Sequence, residues 1–493
     1  MAFDLLFTPA EPVTGRYTHN PLVEDLRLDV LLHAMAGDDT RTEEACRQVL
    51  LTPLTDARAI AARRAVRGDV TAHPRLFQTL LACARRAMDG AARYAEFQKP
   101  RYDRIIPHAK KLLTEITIAR LNLKALGGMQ AAVAAEAGAF GSSAAAELAA
   151  VIRSRFSQET IARMEGRLTE LESLKQSDDL MLSASIGNGL KPANVVLNSL
   201  SEPIRGRQRR MAEPGIAISL FSVGLIRNAD EIVQNAVYPL LDMVAVFNTD
   251  VLAFCERLSF QLGFYLGCLR LREQLHALGV PLCEPQIGDG GMESANLRNA
   301  GLALQEHSAP TGNTVDFRGK RRILITGVNQ GGKTTFLRSM GQAQLMAQCG
   351  MFVAADAYRC PLYRGIHTHF PSGEETASGM GLLDVELHKL SGIVDAIRPH
   401  SLLLLNETFQ TTMPPDAKYL AETMVQALAD SGITVVFVTH LYAYAVAAYE
   451  KRPVDTLFLR AERGGAGKRA YVLREGKPYS SAAGGDVYRE VLG

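Results

Sequence analysis

The sequence predicts a multidomain protein with α and α/β parts, a helical lever bundle followed by a domain built on a mainly parallel sheet. Three observations predict it. The chain has 493 residues, too many for one ordinary hydrophobic core. As far as Leu269 its apolar residues recur by three and four, the period of a buried helix face. Beyond Pro285, short unbroken apolar runs alternate with helical patterns, as in strands covered on both faces by helices.

Between Leu26 and Arg101 the residues Leu26, Val30, Leu50, Leu54, Ile60, Val66, Leu76 and Leu80 punctuate Arg- and Ala-rich sequence with few strand signals, which predicts several packed helices. Residues 108–175 continue the pattern and end on Ile161, Met164, Leu168, Leu171 and Leu174, a single apolar stripe. From Leu180 to Pro214 glycines, prolines and short β-prone runs intervene, predicting a small clamp-like insertion with strands near 180–215. Val233, Val237, Leu241, Val244, Phe247, Val251, Phe254, Leu258, Leu262, Tyr265 and Leu269 then form one seam. Its length predicts a helix far longer than usual, either the core of a bundle or a rigid lever. Pro281, Pro285 and the glycine-rich IGDGG mark a boundary, giving domains 1–285 and 286–493. Apolar runs at 323–326, 402–405, 433–438 and 456–459 supply the strands of the second domain.

Composition narrows the class. With 47% hydrophobic and 22% charged residues the chain is globular. A net charge of +2 neither requires nor excludes a polyanionic partner, so only a local basic patch argues for nucleic acid. The seven cysteines are scattered and never spaced as CxxC, which predicts buried thiols in a reducing compartment and excludes a zinc site or disulfide framework. The first residues, MAFDLLFTPAEP, lack a basic segment ahead of an apolar one, and no uncharged apolar stretch approaches the length of a membrane span. The expectation is a cytoplasmic protein without membrane contact.

The stretch Gly327-Val328-Asn329-Gln330-Gly331-Gly332-Lys333-Thr334-Thr335 fits G-x-x-x-x-G-K-[ST] and lies between an apolar run and a helical segment, the setting of a P-loop. Its glycines let backbone N–H groups converge on phosphate, Lys333 reaches the β and γ phosphates, and Thr334 offers its hydroxyl to Mg2+. A partner strand carrying acidic groups is needed as well, and Leu402–Glu407 supplies it, with Asn406 where an aspartate is usual and Glu407 to polarise water. The neutral Asn406 predicts weak metal support and slow turnover. Asp384 and Glu386 are the candidates to restore the charge. His440, at the end of the run VVFVTH, is placed to sense a γ phosphate.

Taken together, ITGVNQGGKTTFLRSM, ASGMGLLDVEL from Ala377, LLLLNET and VVFVTH resemble the ATPase domain of the MutS family of DNA mismatch-repair proteins. DLRLDVLL from Asp25, LLTPLTDARAIAARRAV from Leu50, the long helix before residue 280 and the closing YVLREGKPYSS extend the likeness over nearly the whole chain. The resemblance implies an ABC-like ATPase domain and a homodimer whose levers carry the state of bound ATP and Mg2+ to a clamp on double-stranded or branched DNA. A downstream repair protein is implied as a further partner. By position it assigns phosphate cradling to Gly327–Gly332, Lys333 and Thr334, water activation to Glu407 and γ-phosphate sensing to His440.

Two departures qualify it. The family's trans-acting SGxSTF falls at Ser378-Gly379-Met380-Gly381-Leu382-Leu383, so only Ser378 and Gly379 match, and a hydroxyl aimed at the opposite subunit's nucleotide is missing. The mismatch-reading and connector domains have no counterpart in this sequence. Arg205, Arg207, Arg209 and Arg210 form the densest basic cluster, within the insertion, and are the candidates for phosphate contacts to DNA. The expected function is a dimeric ATP-gated DNA switch with slow hydrolysis. The alternatives are an ATP-dependent dimer scaffold without a direct DNA role and a phosphotransferase using the same loop.

Overall fold

The computed structural model describes residues 3–7, 20–97, 107–173 apart from 137 and 139, 180–186, 192–197, 217–218, 238–371 apart from 329, 381–463 apart from 411 and 452, and 469–478. The helices of the first half are α1 (Pro21–Asp25), α2 (Leu28–Ala36), α3 (Thr40–Leu50), α4 (Ala57–Ala72), α5 (Pro74–Phe97), α6 (Pro107–Ala135), α7 (Ser143–Arg155), α8 (Gln158–Ser173) and the 40-residue α9 (Tyr238–Ala277). Between α8 and α9, strands β1 (Leu180–Ile186), β2 (Pro192–Leu197) and β3 (Ala217–Ile218) form an antiparallel sheet in the order β2-β1-β3. Contacts divide the chain into two units, Met1–Leu5 with Asp69–Leu262, and Leu6–Gly68 with Gly263–Gly493.

In the first unit α6 packs against α5, α7 and α8. Ser142 starts α7 by accepting from the Ala145 N–H, and Asp69 fixes the preceding turn by accepting from the N–H groups of Gly141 (2.7 Å) and Ser142 (2.9 Å). The part of α9 in this unit carries an internal polar clamp: Asn122 Nδ2 donates to Asn248 Oδ1 at 2.9 Å, and Asn248 Nδ2 donates to Glu115 O and Oε2 at 2.8 Å. Among the described residues α9 is the one helix long and apolar enough to cross a membrane. Its polar groups nonetheless find protein partners, since Gln261 also accepts from the Leu5 N–H and donates to Asp4, and Phe254 stacks edge-on with Phe3 and Phe156. Those contacts are what a core helix makes.

The second unit adds β4 (Gln286–Ile287), β5 (Glu293–Leu297), α10 (Ala300–Glu306), β6 (Asn313–Asp316), β7 (Arg322–Gly327), α11 (Lys333–Gln348), β8 (Ala357–Cys360), β9 (Ile366–His369), α12 (Leu382–Ala396), β10 (Leu402–Asn406), α13 (Pro414–Asp430), β11 (Thr434–Val438), α14 (Tyr442–Lys451), β12 (Thr456–Arg463) and β13 (Arg469–Glu475). Six strands make the main sheet in the order β13-β12-β7-β11-β10-β9, parallel except for β13. β7, β10 and β11 are buried almost throughout, as parallel strands covered on both faces must be. On one face Leu324, Leu403, Leu405, Val435 and Phe437 form a core with Ala417, Val425 and Leu428 of α13 and Tyr444 of α14. A second sheet, β4-β8-β5-β6, was not predicted. Its strands run two to five residues and carry polar residues such as Glu293, Asn313 and Arg359, too short and mixed to show a strand period.

Residues 6–68 pack with the sheet unit, whereas the sequence boundary near 285 follows a change of pattern. The side chains of α11 explain the packing. Arg338 Nε donates to Asp25 O at 2.8 Å, Gln342 Nε2 to Leu26 O at 2.9 Å, and Gln348 Nε2 to Leu54 O at 2.9 Å. The Leu26 side chain fills the space that Gly341 leaves open.

Candidate functional site

The register of the main sheet sets the site. Ile325 pairs with Val438 and Asn406 pairs with Val438, so the carboxyl ends of β7, β10 and β11 finish level with one another. The loop after β7 and the residues after β10 and β11 therefore meet at one edge, where open α/β sheets bind ligands.

The glycines of the loop are required by space. Gly327 has φ +119°, and a Cβ on it would lie 2.8 Å from Ala461 N and 2.9 Å from Ala461 O on neighbouring β12. A Cβ on Gly331 would lie 2.8 Å from the Ala461 Cβ and 2.9 Å from Val328 O. Gly332 caps α11 at φ 87° and makes no side-chain cap bond, so no capping side chain takes up the first-turn N–H groups of α11. Lys333 is buried, and its ammonium donates to Gly327 O at 3.0 Å and Val328 O at 2.9 Å, at the centre of the loop. Burial lowers its pKa and the nearby Glu407 charge raises it back in part.

Thr334 Oγ1 donates to Asn406 Oδ1 at 2.9 Å, which ties the first turn of α11 to the end of β10. Glu407 follows with φ 57°, an unusual conformation for a non-glycine residue, fixed by its N–H donating to Val438 O at 2.7 Å. His440 Nε2 donates to Glu407 Oε1 at 2.8 Å. That bond is the largest influence on Glu407, outweighing its burial, and with the charges of His440 and Lys333 holds the carboxyl below the usual range.

A cavity of about 790 Å³ joins these parts, lined by Gln330–Thr335 of the loop, Glu407, His440 and their neighbours. The structure brings Lys333, Thr334, Glu407 and His440 together around this cavity, with Asn406 bonded to Thr334. The imidazole Nε2 of His440 bonds the Glu407 carboxylate. Asp384 and Glu386 do not line the cavity; Glu386 is buried and accepts from the Phe409 N–H at 2.9 Å, shaping the turn after Glu407. Asn329, Ser378, Gly379, Arg205, Arg207, Arg209 and Arg210 lie outside the described residues. Sequence reasoning missed Gln410, Thr412, Pro414, Leu441 and Tyr471 as lining residues. The first four simply follow the two strand ends already found, whereas nothing in the sequence marks Tyr471.

Fold and site together define a multidomain protein of helical and α/β parts, with a glycine-lined cradle suited to an anion at the edge of a parallel sheet. Comparison with known proteins gives it a family. The model of MutS domain V matches residues 323–479 and that of the MutS2 N-terminal domain matches residues 55–278, and the chain belongs to the MutS family. Proteins named DNA mismatch repair protein MutS are similar to it in Streptococcus mutans (33% identity over 132 residues, 26% of this chain and 16% of that protein) and in Thermus aquaticus (32% over 143 residues, 29% and 18%). DNA mismatch repair protein MutS 1 of Halobacterium salinarum is 33% identical over 173 residues, 32% of this chain and 20% of that protein. The matched stretch spans between 16% and 20% of the length of these three relatives.

Proposed function

We propose that the second unit contains a P-loop ATPase domain of the ABC-like class, which binds ATP and hydrolyses it slowly, and that the protein acts as a homodimeric, ATP-gated switch on DNA. One observation carries the reading: a single cavity unites the Gly327–Thr335 loop with Glu407 and His440. The triphosphate rests on the loop amides, with Lys333 turning from the loop carbonyls to the β and γ phosphates. Glu407 accepts a proton from water as the water oxygen bonds to the γ phosphorus and the bond to the β–γ bridging oxygen breaks, giving ADP and phosphate. His440 steadies Glu407 and is in position to exchange that bond for one to the γ phosphate.

The donor set fits Mg2+ only with neutral oxygens, the Thr334 hydroxyl and the Asn406 amide. When bound, the ion would neutralise phosphate charge. An aspartate at 406 would add a charge that Asn406 lacks, and loss of such support commonly lowers metal affinity or activity about 10- to 100-fold. Slow turnover follows, which suits a switch better than a motor. The similarity to DNA mismatch repair proteins supports mismatch repair as the setting and DNA as the partner.

Measuring ATP binding and turnover for the intact chain tests the reading. Lys333→Ala is expected to abolish detectable ATP binding, Glu407→Gln to bind ATP without turnover, and Asn406→Asp to raise turnover at limiting Mg2+ about 10-fold or more. Unchanged ATP affinity in Lys333→Ala overturns the cradle, and an Asn406→Asp variant no faster than the parent overturns the account of that position.

A further inference from the structure

Glu407 stands on a turn that is strained twice. It has φ 57°, and Phe409, two residues on, has φ 67°. Neither is a glycine, and left-handed backbone at such residues persists only where the surroundings over-determine it. Here they do so residue by residue. The Glu407 N–H donates to Val438 O at 2.7 Å, at the end of β11. The Thr408 hydroxyl and Nδ1 of His369, the last residue of β9, share a hydrogen bond of 3.0 Å. The Phe409 N–H donates to Glu386 Oε1 at 2.9 Å, in the second turn of α12. Three successive residues are thus tied to three different elements, and two of the ties run to side chains.

Those two side-chain ties lie outside the cavity. His369, Thr408 and Glu386 are buried, and none of them lines it. The ends of the turn are fixed as well, by Asn406 at the end of β10 and by the Phe409 ring, which sits in the core with Leu403, Leu405 and Ala417. A turn that needed only to close could take a glycine at either left-handed position without strain. This chain instead buries an imidazole and a carboxyl, both costly to desolvate, to grip the two residues that follow Glu407. We propose that Glu386 and His369 are positioning residues for hydrolysis: through Phe409 and Thr408 they fix the backbone on which Glu407 presents its carboxylate to the attacking water. This rests on the nucleotide reading above and deepens it. Because neither residue reaches the nucleotide, each governs the rate of bond breaking and leaves ATP binding alone.

The test separates ATP affinity from the single-turnover rate on the full chain. Glu386→Ala removes the acceptor for the Phe409 N–H, and Thr408→Val removes the hydroxyl while keeping a branched side chain. Each is expected to lower the rate about 10-fold or more, with ATP affinity within about twofold of the parent. Glu386→Gln, whose amide oxygen still accepts that N–H, and Thr408→Ser, which keeps the hydroxyl, are expected to return the rate to within about threefold of the parent. A parent-like rate in Glu386→Ala or in Thr408→Val overturns the proposal, and Thr408→Val decides alone if Glu386→Ala does not fold. Affinity and rate falling together, or a Glu386→Gln variant no faster than Glu386→Ala, overturns it too, since a merely structural contact would behave that way. A parent chain that binds ATP without turnover overturns hydrolysis itself and the positioning role with it, and a Lys333→Ala variant that binds ATP like the parent overturns the nucleotide site.

Discussion

Asp25, at the end of α1, is a carboxyl whose burial outweighs its neighbours. Burial pushes its pKa up to about 6 from the ordinary 3.8; Glu24 adds to the rise, while Arg338 and Lys389 pull it back. Because the folded value is the higher one, the native state holds a proton between pH 4 and 6 that the unfolded chain has released. This group therefore favours folding most below pH 4, and that contribution declines as pH rises to 6 and stays lost above it. With part of the carboxyl exposed, the loss is about 1–2 kcal/mol. Asp25→Asn, neutral at every pH, is expected to raise the unfolding free energy at pH 7.5 by that amount and to leave it unchanged near pH 4. Paired urea titrations at the two pH values check this, and no gain at pH 7.5 would mean that the burial of Asp25 is tolerated without penalty. Glu407 shows the opposite case on the same unit: the His440 hydrogen bond holds it below the usual range, so it stays ionised and a modest base through neutral pH.

The turn from β7 into α11 carries a sharper demand, because its glycines answer to neighbouring backbone. A Cβ at Gly327 meets the main chain of Ala461, which cannot rotate away, and φ +119° adds its own strain. Gly327→Ala is expected to destabilise the second unit by about 3 kcal/mol or more and to remove nucleotide binding. Gly392, exposed in α12 with nothing within 4 Å of an added Cβ, is the control: Gly392→Ala should stabilise by about 0.5–1 kcal/mol through helix propensity alone. Equal effects of the two substitutions in thermal melts would show that the loop backbone relaxes freely. These elements also show what sequence can disclose. The Gly327–Thr335 loop, Asn406, Glu407 and His440 were legible because each follows a run of buried apolar residues that marks a strand, and parallel strands share one carboxyl edge. The four-stranded sheet was not legible, since strands as short as β4 and as polar as β6 have no measurable period. Nor was Tyr471, whose place depends on a bulge in the pairing of β13 with β12 and on Asn313, whose Nδ2 donates to its carbonyl from 158 positions away. The packing of residues 6–68 onto α11 escaped for a related reason: it runs largely through glutamine and arginine side chains that bond to carbonyls, and such bonds leave no pattern in sequence.

For the molecule as a whole, the proposed switch makes a prediction about DNA that separates it from an ATP-dependent dimer scaffold. A net charge of +2 gives no general attraction to a polyanion, so binding must come from a local patch, and Arg205, Arg207, Arg209 and Arg210 are the densest one. Contacts from such a cluster would fall on phosphates, which supply affinity with little sequence preference and release counterions. Affinity for duplex or branched DNA should then fall linearly with salt on logarithmic axes, with a slope that drops by about 0.9 for each phosphate contact removed. Replacing the four arginines with alanine is expected to lower the slope by two or more such steps while leaving ATP affinity unchanged. Retention on immobilised DNA between low and physiological salt, with and without ATP, measures both quantities. No retention of the parent chain at low salt in either condition would remove DNA from the account. Because the nucleotide site would be untouched by that result, an ATP-dependent dimer scaffold would be the function left standing.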